Sequence, residues 1–262
     1  MIPLDGDFIL DVAPSFAGPF GVAQRQIVGA LAGEFGRVLA SYGIDDYLRI
    51  AHFMAQVTHE CAGFRTTEEF ASGEAYEGRE DIGNTEPGDG KRYKGRGLLQ
   101  LTGRKNYRIY GELLGLPLED QPRLAADPLT SLKIACAYFR EKEILPDCDR
   151  DDLYAVTLKV NGRLRGLEDR QYFLTRAKTA LARRQAIVIA AAQGVSHPIF
   201  RRGDFGEAVA ALQERLCDAG LPVTRDGEFG PATELAVMEI QRARGLTVNG
   251  IVAREVWEAL AG

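Results

Sequence analysis

Glu60 closes an apolar run with helical spacing. Ile50, Phe53, Met54, Val57 and Cys61 recur on one face, which predicts a helix from Tyr47 to Cys61, ended by Gly63. At about 100° per residue, Glu60 falls about 80° from the middle of that stripe, at the edge of the buried face. Partial desolvation at such an edge is one way a carboxyl is fitted for general-acid work near neutral pH. Glu69 follows nine residues later and would face the opposite way on an unbroken helix. The break at Ala62-Gly63 lets the chain turn and present a second carboxylate to Glu60 across a groove. Glu68 and Glu86 are alternatives for that second position. A lone glutamate is most simply a rim residue in a surface ion pair, but two carboxylates in unequal environments are the minimum equipment for glycoside hydrolysis.

The stretch from Tyr93 to Tyr107 (YKGRGLLQLTGRKNY) supplies glycines that let backbone approach a polymer closely. It also carries Gln100, Thr102 and Asn106, neutral polar groups able to hold a water or a sugar amide. Thr102 reads equally as the N-cap of a helix running to Leu114 and stopped by Gly115. Lys91, Arg92, Lys94, Arg96, Arg104, Lys105 and Arg108 follow one another with no acidic residue between them. Such a run is either a solvated face or the floor of a groove for an anionic polymer.

These residues need a scaffold, and the chain can build one. It has 262 residues, 45% hydrophobic and 26% charged, enough for one large domain or two unequal ones. The net charge of −5 argues against a dedicated nucleic-acid binder. Met1 to Asp11 carry no positive leader region, and no apolar run approaches the roughly 18 residues needed to span a bilayer, so no membrane insertion is expected and the protein is expected to accumulate in the cytoplasm. Cys61, Cys136, Cys148 and Cys217 show no metal spacing and are read as reduced, with Cys136 to Cys148 the pairing to consider. His52, His59 and His197 include two on one helix with no evident third ligand, so neither a metal nor another cofactor is expected.

A join is expected near residue 190, where small residues give way to Ser196-His197-Pro198 and Arg201-Arg202-Gly203. The expected division is a domain over 1–190, a linker over 191–202 and a second domain over 203–262. The last part is self-similar: Asp226-Gly227-Glu228-Phe229-Gly230 precedes one amphipathic run and Asn249-Gly250-Ile251-Val252 another. Val209, Leu212 and Leu216, then Thr233, Ala236, Val237 and Ile240, then Val252, Val256 and Leu260, form three helical stripes.

The ordered set of Gly203 to Val209, Leu212-Gln213, Asp226 to Gly230, Gly245-Leu246, Asn249-Gly250 and Trp257 to Leu260 resembles the three-helix peptidoglycan-binding domain. The resemblance implies that Asp226, Gly227, Phe229, Gly230, Asn249 and Gly250 belong to a cell-wall-binding surface. Upstream, Ala51 to Arg65 (AHFMAQVTHECAGFR) resembles the catalytic helix of bacterial and phage members of glycoside hydrolase family 19, the group shared by chitinases and endolysins. Gly83 to Gly90 leading into Tyr93 to Gly97, Val160-Asn161-Gly162, and Gly166 to Arg170 match in order over about residues 20 to 180.

This second resemblance implies a mainly α, lysozyme-like fold and an inverting mechanism. Glu60 would be the general acid, and Glu69 would activate a water held with help from Thr102 across about 6.5–9.5 Å. It implies a groove that includes Tyr93, Lys94, Arg96, Gln100, Asn106, Asn161 and Arg170. Cys61 departs from the Ser or Thr of many members. Plant-type members have a longer segment between their glutamates, which keeps Glu68 and Glu86 open. Bacterial peptidoglycan is the expected partner, since Lys94, Arg96 and Arg104 suit an acidic polymer better than neutral chitin. The expected role is a monomeric phage lysin acting as a muramidase, held in the host cytoplasm until a holin admits it to the periplasm and wall. A chitinase, a catalytically inactive wall binder and an amide-cutting wall hydrolase are the alternatives.

Overall fold

The structure is a computed structural model that describes residues 3–192 and 198–261. It divides into two compact units, Met1–Arg184 and Gln185–Gly262. Thirteen α-helices and only isolated β-bridges occur among the described residues, so the expected mainly α class holds. None of these helices is long and apolar enough to cross a membrane.

In the first unit, α1 (Gly6–Val12), α2 (Gly18–Ala32) and α3 (Phe35–Ser41) precede α4 (Tyr47–Glu60). Asp46 caps α4 by accepting from the Arg49 amide at 2.9 Å. The sequence pattern predicted one buried stripe on this helix, yet every residue from Ile50 to Thr58 is buried, His52, Gln56 and Thr58 included. The reason is position: α4 is packed by α1, by α8 (Leu145–Asp149) and by α9 (Leu153–Asn161), so no side of it faces water along most of its length. Phe53 lies at its centre, 6.5 Å from Phe35 and 5.1 Å edge-on to Phe139 of α7 (Pro128–Glu141), ring to ring.

The end of α4 is a tight left-handed turn. Ala62, Gly63 and Phe64 have φ of 51°, 75° and 62°, and the Gly63 amide returns to the Thr58 carbonyl at 2.7 Å. A side chain at Gly63 would strike Pro14 at 2.7 Å. Gln24 fastens this turn by donating to the Gly63 and Pro14 carbonyls at 2.7 and 2.8 Å. Strain at two non-glycine residues is thus held beside Glu60 by tertiary contacts.

A short helix, α5 (Asp89–Arg92), and α6 (Arg104–Leu114, closed by Gly115 as expected) frame the loop over 93–103. A separate small core of Tyr93, Leu101, Tyr107, Tyr110, Leu118, Ala125, Ile134 and Ala137 supports that loop. The longest helix, α10 (Leu167–Ala192), brings Arg170 in its first turn. All four cysteines are unpaired, with Cys136 and Cys148 buried.

The second unit holds α11 (Glu207–Asp218), α12 (Pro231–Ala243) and α13 (Arg254–Ala261) around Val209, Leu212, Leu216, Phe229, Val237, Ile240, Val252, Val256 and Trp257. Of the segment expected as a linker, Ala191 and Ala192 end α10, and 193–197, His197 among them, lie outside the described residues. Residues 198–202 are not a linker but part of this unit. Phe200 pairs with Val252 through backbone bonds of 3.1 and 2.7 Å, and the Trp257 indole donates to the Pro198 carbonyl at 2.6 Å.

Replacing Phe53 by Ala removes the ring on which Phe35 and Phe139 rest. The expected loss is about 3–5 kcal/mol, read as a fall in the urea midpoint of the first unit.

Candidate active site

Glu60, the last residue of α4, keeps 17% of its side chain exposed. One carboxylate oxygen accepts from Arg170, whose guanidinium is wholly buried and also donates to the Gln56 amide oxygen. Gln56 in turn donates to the Thr157 hydroxyl of α9 at 3.2 Å, and Arg170 donates through Nε to the Arg165 carbonyl at 3.2 Å. Three helices thereby converge on one carboxylate. Among the described residues no donor meets the other Glu60 oxygen, which is left for a ligand or water.

Glu69 is held differently. Its backbone amide donates to the Gly95 carbonyl at 3.0 Å, and its Oε1 accepts from the Gly95 amide at 2.8 Å. Its Oε2 accepts from the Tyr76 hydroxyl at 3.0 Å. Burial, and then the Glu69 carboxylate itself, raise the Tyr76 hydroxyl above the usual phenol range, so it remains a donor. Gly95 lies close against both side chains: a Cβ there would be 2.9 Å from the Gln100 amide oxygen and 3.3 Å from the Glu69 carboxyl carbon. Among the described residues, Glu69 thus has two neutral donors and no cation on its carboxylate.

The two competing carboxylates have other surroundings. Glu68 lies 3.2 Å from both Lys94 and Arg96. Burial pushes its carboxyl up, but the hydrogen bond to Lys94 and the charges of Arg96 and Lys94 outweigh it and hold it below the usual range. Glu86 is exposed, and its amide donates to Asp89 at 3.1 Å.

Several expected groove residues serve the scaffold instead. Tyr93 is fully buried, donates to the Glu119 carbonyl at 3.0 Å and packs 5.3 Å from the Tyr107 ring. Lys94 donates to the Glu69 and Ala71 carbonyls at 3.1 and 3.3 Å. Arg96 is buried against the Arg92 carbonyl and the Tyr107 hydroxyl, at 2.9 and 3.0 Å. Burial pushes the Tyr107 hydroxyl up to about 12, so it accepts from Arg96 while donating to the Lys94 carbonyl at 2.7 Å. Arg104 is paired with Asp89 at 2.5 Å, and Lys91 with Glu74 at 2.8 Å. The basic run is therefore largely neutralised, because its charges replace the strand pairing that this loop lacks.

Gln100 sits at φ 53° and donates to the Gly97 carbonyl at 2.9 Å. The Thr102 hydroxyl donates to the Gln100 carbonyl at 2.8 Å, and Asn106 donates to the Thr102 carbonyl at 2.8 Å. Thr102 does not cap α6. Gly103 occupies the cap position, and no side chain accepts there. Asn161 ends α9 ahead of Gly162 at φ 69°, its side chain half-exposed. His52 is wholly buried against Asp151 at 2.8 Å, and His59 meets Asp169 at 2.5 Å, so the two are committed to different carboxylates. Gln56, Thr157 and Tyr76 went unpredicted. Gln56 was the findable one, a polar residue four positions before Glu60 inside an apolar run.

In the second unit, the residues expected on a wall-binding surface build the loops. Phe229 is fully buried. The Gln213 amide donates to Asp226 and the Glu228 carbonyl at 2.8 and 2.9 Å and accepts from the Gly227 amide at 2.9 Å. Gln241 repeats the pattern on Asn249, Ile251 and Gly250 at 2.8, 2.9 and 2.9 Å. Beside the first loop lies an open groove of about 710 Å³ lined by Phe205, Glu207, Ala210, Arg225 and Asp226 to Glu228, with Phe205 86% exposed.

The helical fold of the first unit is shared with chitinases of known structure. Residues 39–151 match the family described as chitinase class I, that of glycoside hydrolase family 19, and 205–260 match the putative peptidoglycan-binding domain. A glycosyl hydrolase family 19 domain-containing protein of Haemophilus influenzae is 32% identical over 102 residues, covering 39% of this chain and 49% of that protein. An endochitinase of Arabidopsis thaliana is 34% identical over 142 residues, 54% of this chain and 48% of that one. The chain thus spans about half the length of these curated relatives. The crystal structure of chitinase C from Streptomyces griseus shares the fold, with a TM-score of 0.51 and 19% identity over 69% of this chain and 77% of that one. Residues 39–151 are thus similar to the chitinase class I family, and residues 205–260 to a peptidoglycan-binding domain.

Arg170→Ala strands the Glu60 carboxylate and the Gln56 amide together. The expected cost is about 3–5 kcal/mol, measured by chemical denaturation. On the acid side, Arg104 first, and then the Glu86 amide, hold the buried Asp89 carboxyl below its usual range against the opposing effect of burial. A carboxyl depressed on folding contributes stability above its unfolded value of about 3.9 and loses it as pH falls through the folded one. Asp89→Asn therefore flattens the decline in Tm between about pH 4 and pH 2 relative to wild type.

Proposed function

We propose that this protein hydrolyses the β-1,4 glycosidic bonds of bacterial peptidoglycan with inversion, as a muramidase. The observation that carries the chemistry is the contrast between the two carboxylates. Glu60 is anchored through one oxygen, the other remaining open toward a leaving group. Glu69 is oriented by two neutral donors, Gly95 and Tyr76, and pairs with no cation of the described residues. In this reading Glu60 is the acid, Glu69 the base, and Thr102 with Gln100 positions the water. Water attacks the anomeric carbon as the bond to the leaving oxygen breaks, Glu60 giving that oxygen its proton and Glu69 taking one from the water.

The similarity of residues 205–260 to peptidoglycan-binding domains supports the choice of polymer, and tethering raises local substrate concentration without new contacts at the active site. The groove beside the exposed Phe205 is the surface we assign to wall binding. In this reading the protein is a phage lysin, monomeric, held in the host cytoplasm and admitted to the periplasm by a holin. The pairing of hydrolase-like and wall-binding-type domains is what supports that role. A chitinase is the second reading, favoured by relatives named as endochitinases.

Purified wild type, Glu60→Gln and Glu69→Gln are to be incubated with peptidoglycan and with chitin oligomers, following products by mass spectrometry and anomer by NMR. The expected result is new N-acetylmuramic reducing ends, initially of inverted configuration, with rates lowered about 10²–10⁴-fold in each variant. Retained activity in Glu69→Gln reassigns the base. Cleavage of chitin oligomers alone establishes the chitinase.

A further inference from the structure

Arg65 lies on the segment that joins the two carboxylates, five residues after Glu60 and four before Glu69. Its guanidinium is surrounded by aromatic rings, 5.4 Å from the centre of Phe16, 5.1 Å from Phe20 and 6.0 Å from Phe70. Its Nε is buried with no hydrogen-bond partner, and no carboxylate of the described residues pairs with the group. Lys94, Arg96 and Arg104 each have a glutamate or aspartate within 3.4 Å; Arg65 has only ring faces. Those faces orient the guanidinium plane but leave its charge in place.

The rings themselves are not a buried core. Phe20 and Phe70 meet edge-on at 6.5 Å while standing 48% and 71% exposed. Large exposed aromatics beside a held cation leave a surface that packing does not require. It suits a ligand with an apolar ring face and an acidic substituent. Arg is the residue for such a partner, since its fork accepts a carboxylate bidentately with little further loss of side-chain freedom.

We propose that Arg65, with Phe20 and Phe70, is a binding site for a carboxylate of the wall polymer, and that it sets the preference for an acidic glycan over a neutral one. The inference rests on the peptidoglycan-hydrolase reading and supplies the cation which the basic run, being neutralised, does not. Two sources offer this chemistry: the lactyl carboxylate of a muramyl residue and the carboxylates of its stem peptide.

The test measures kcat and KM of wild type, Arg65→Gln, Arg65→Lys and Phe70→Ala on three substrates. These are intact peptidoglycan, glycan strands stripped of stems by an amidase so that lactyl carboxylates are free, and a neutral N-acetylglucosamine hexamer. Arg65→Gln is expected to lower the acidic-to-neutral ratio of kcat/KM by about 10–100-fold, the loss of one charge-assisted hydrogen-bonded contact. The change is expected in KM, with Arg65→Lys retaining part of the ratio and Phe70→Ala lowering it less. A ratio that falls only on stripped strands identifies the lactyl group, and one that falls only on intact wall identifies the peptide. Equal losses on all three substrates, accompanied by a lower Tm, would make Arg65 a scaffold residue and overturn the inference while the hydrolase reading stands. Wild type that cuts the hexamer but never peptidoglycan overturns both.

Discussion

A guanidinium with no exposure to water, that of Arg170, lies inside the first unit, and the arrangement around it follows from the cost of putting it there. Removing such a charge from solvent costs several kcal/mol unless nearly every donor is met. Each of the three Arg170 nitrogens has an acceptor, Glu60 and Gln56 from α4 and the Arg165 carbonyl from the approach to α10, while Thr157 of α9 extends the network through Gln56. The helices cannot slide past one another without breaking several of these bonds together. The orientation of the Glu60 carboxylate is therefore a property of the fold rather than of one rotamer.

A second constraint governs the loop over 93–103. With only isolated bridges available, the segment over 93–103 is held by ionic and buried polar contacts: Glu68 to Lys94 and Arg96, Asp89 and Glu119 to Arg104, and Tyr107 between Arg96 and the Lys94 carbonyl. These pairs spend the charge of the basic run on local structure. Beside them, the backbone of Gly95 is placed so that both its amide and its carbonyl engage Glu69.

This division explains what could be read from the sequence. The course of α4 to within a residue of its end and the three terminal helices follow from spacing, because burial of apolar side chains obeys the helical period. Gly115 as a stop and the stripe Thr233, Ala236, Val237 and Ile240 are legible for the same reason. The fate of Tyr93, Lys94 and Arg96 is not, since it depends on Glu68 and Glu119, which reach them from up to 28 residues away along the chain. Periodicity carries no record of such pairings. Thr102 misled for a related reason: its type suits an N-cap, but backbone geometry puts Gly103 in that position.

The second unit shows the same logic in a repeated form. Gln213 and Gln241 each lie inward from a helix and tie a Gly-containing loop through both ends of one amide, so the loops at Asp226 and Asn249 are built alike. The chain before α11 passes both loops, placing Phe200 opposite Val252 and Phe205 opposite Glu228. Phe200 turns inward and lies 6.0 Å from the Trp257 ring, whereas Phe205 stays almost wholly in solvent. The scaffold closes both loops with the same chemistry, yet only one of these rings is used in the core. The other is apolar surface that stability does not ask for, next to a groove whose glycine-rich floor admits a close partner. That surplus is the physical ground for assigning wall contact to this face rather than to the buried turn residues, whose hydrogen bonds are already taken.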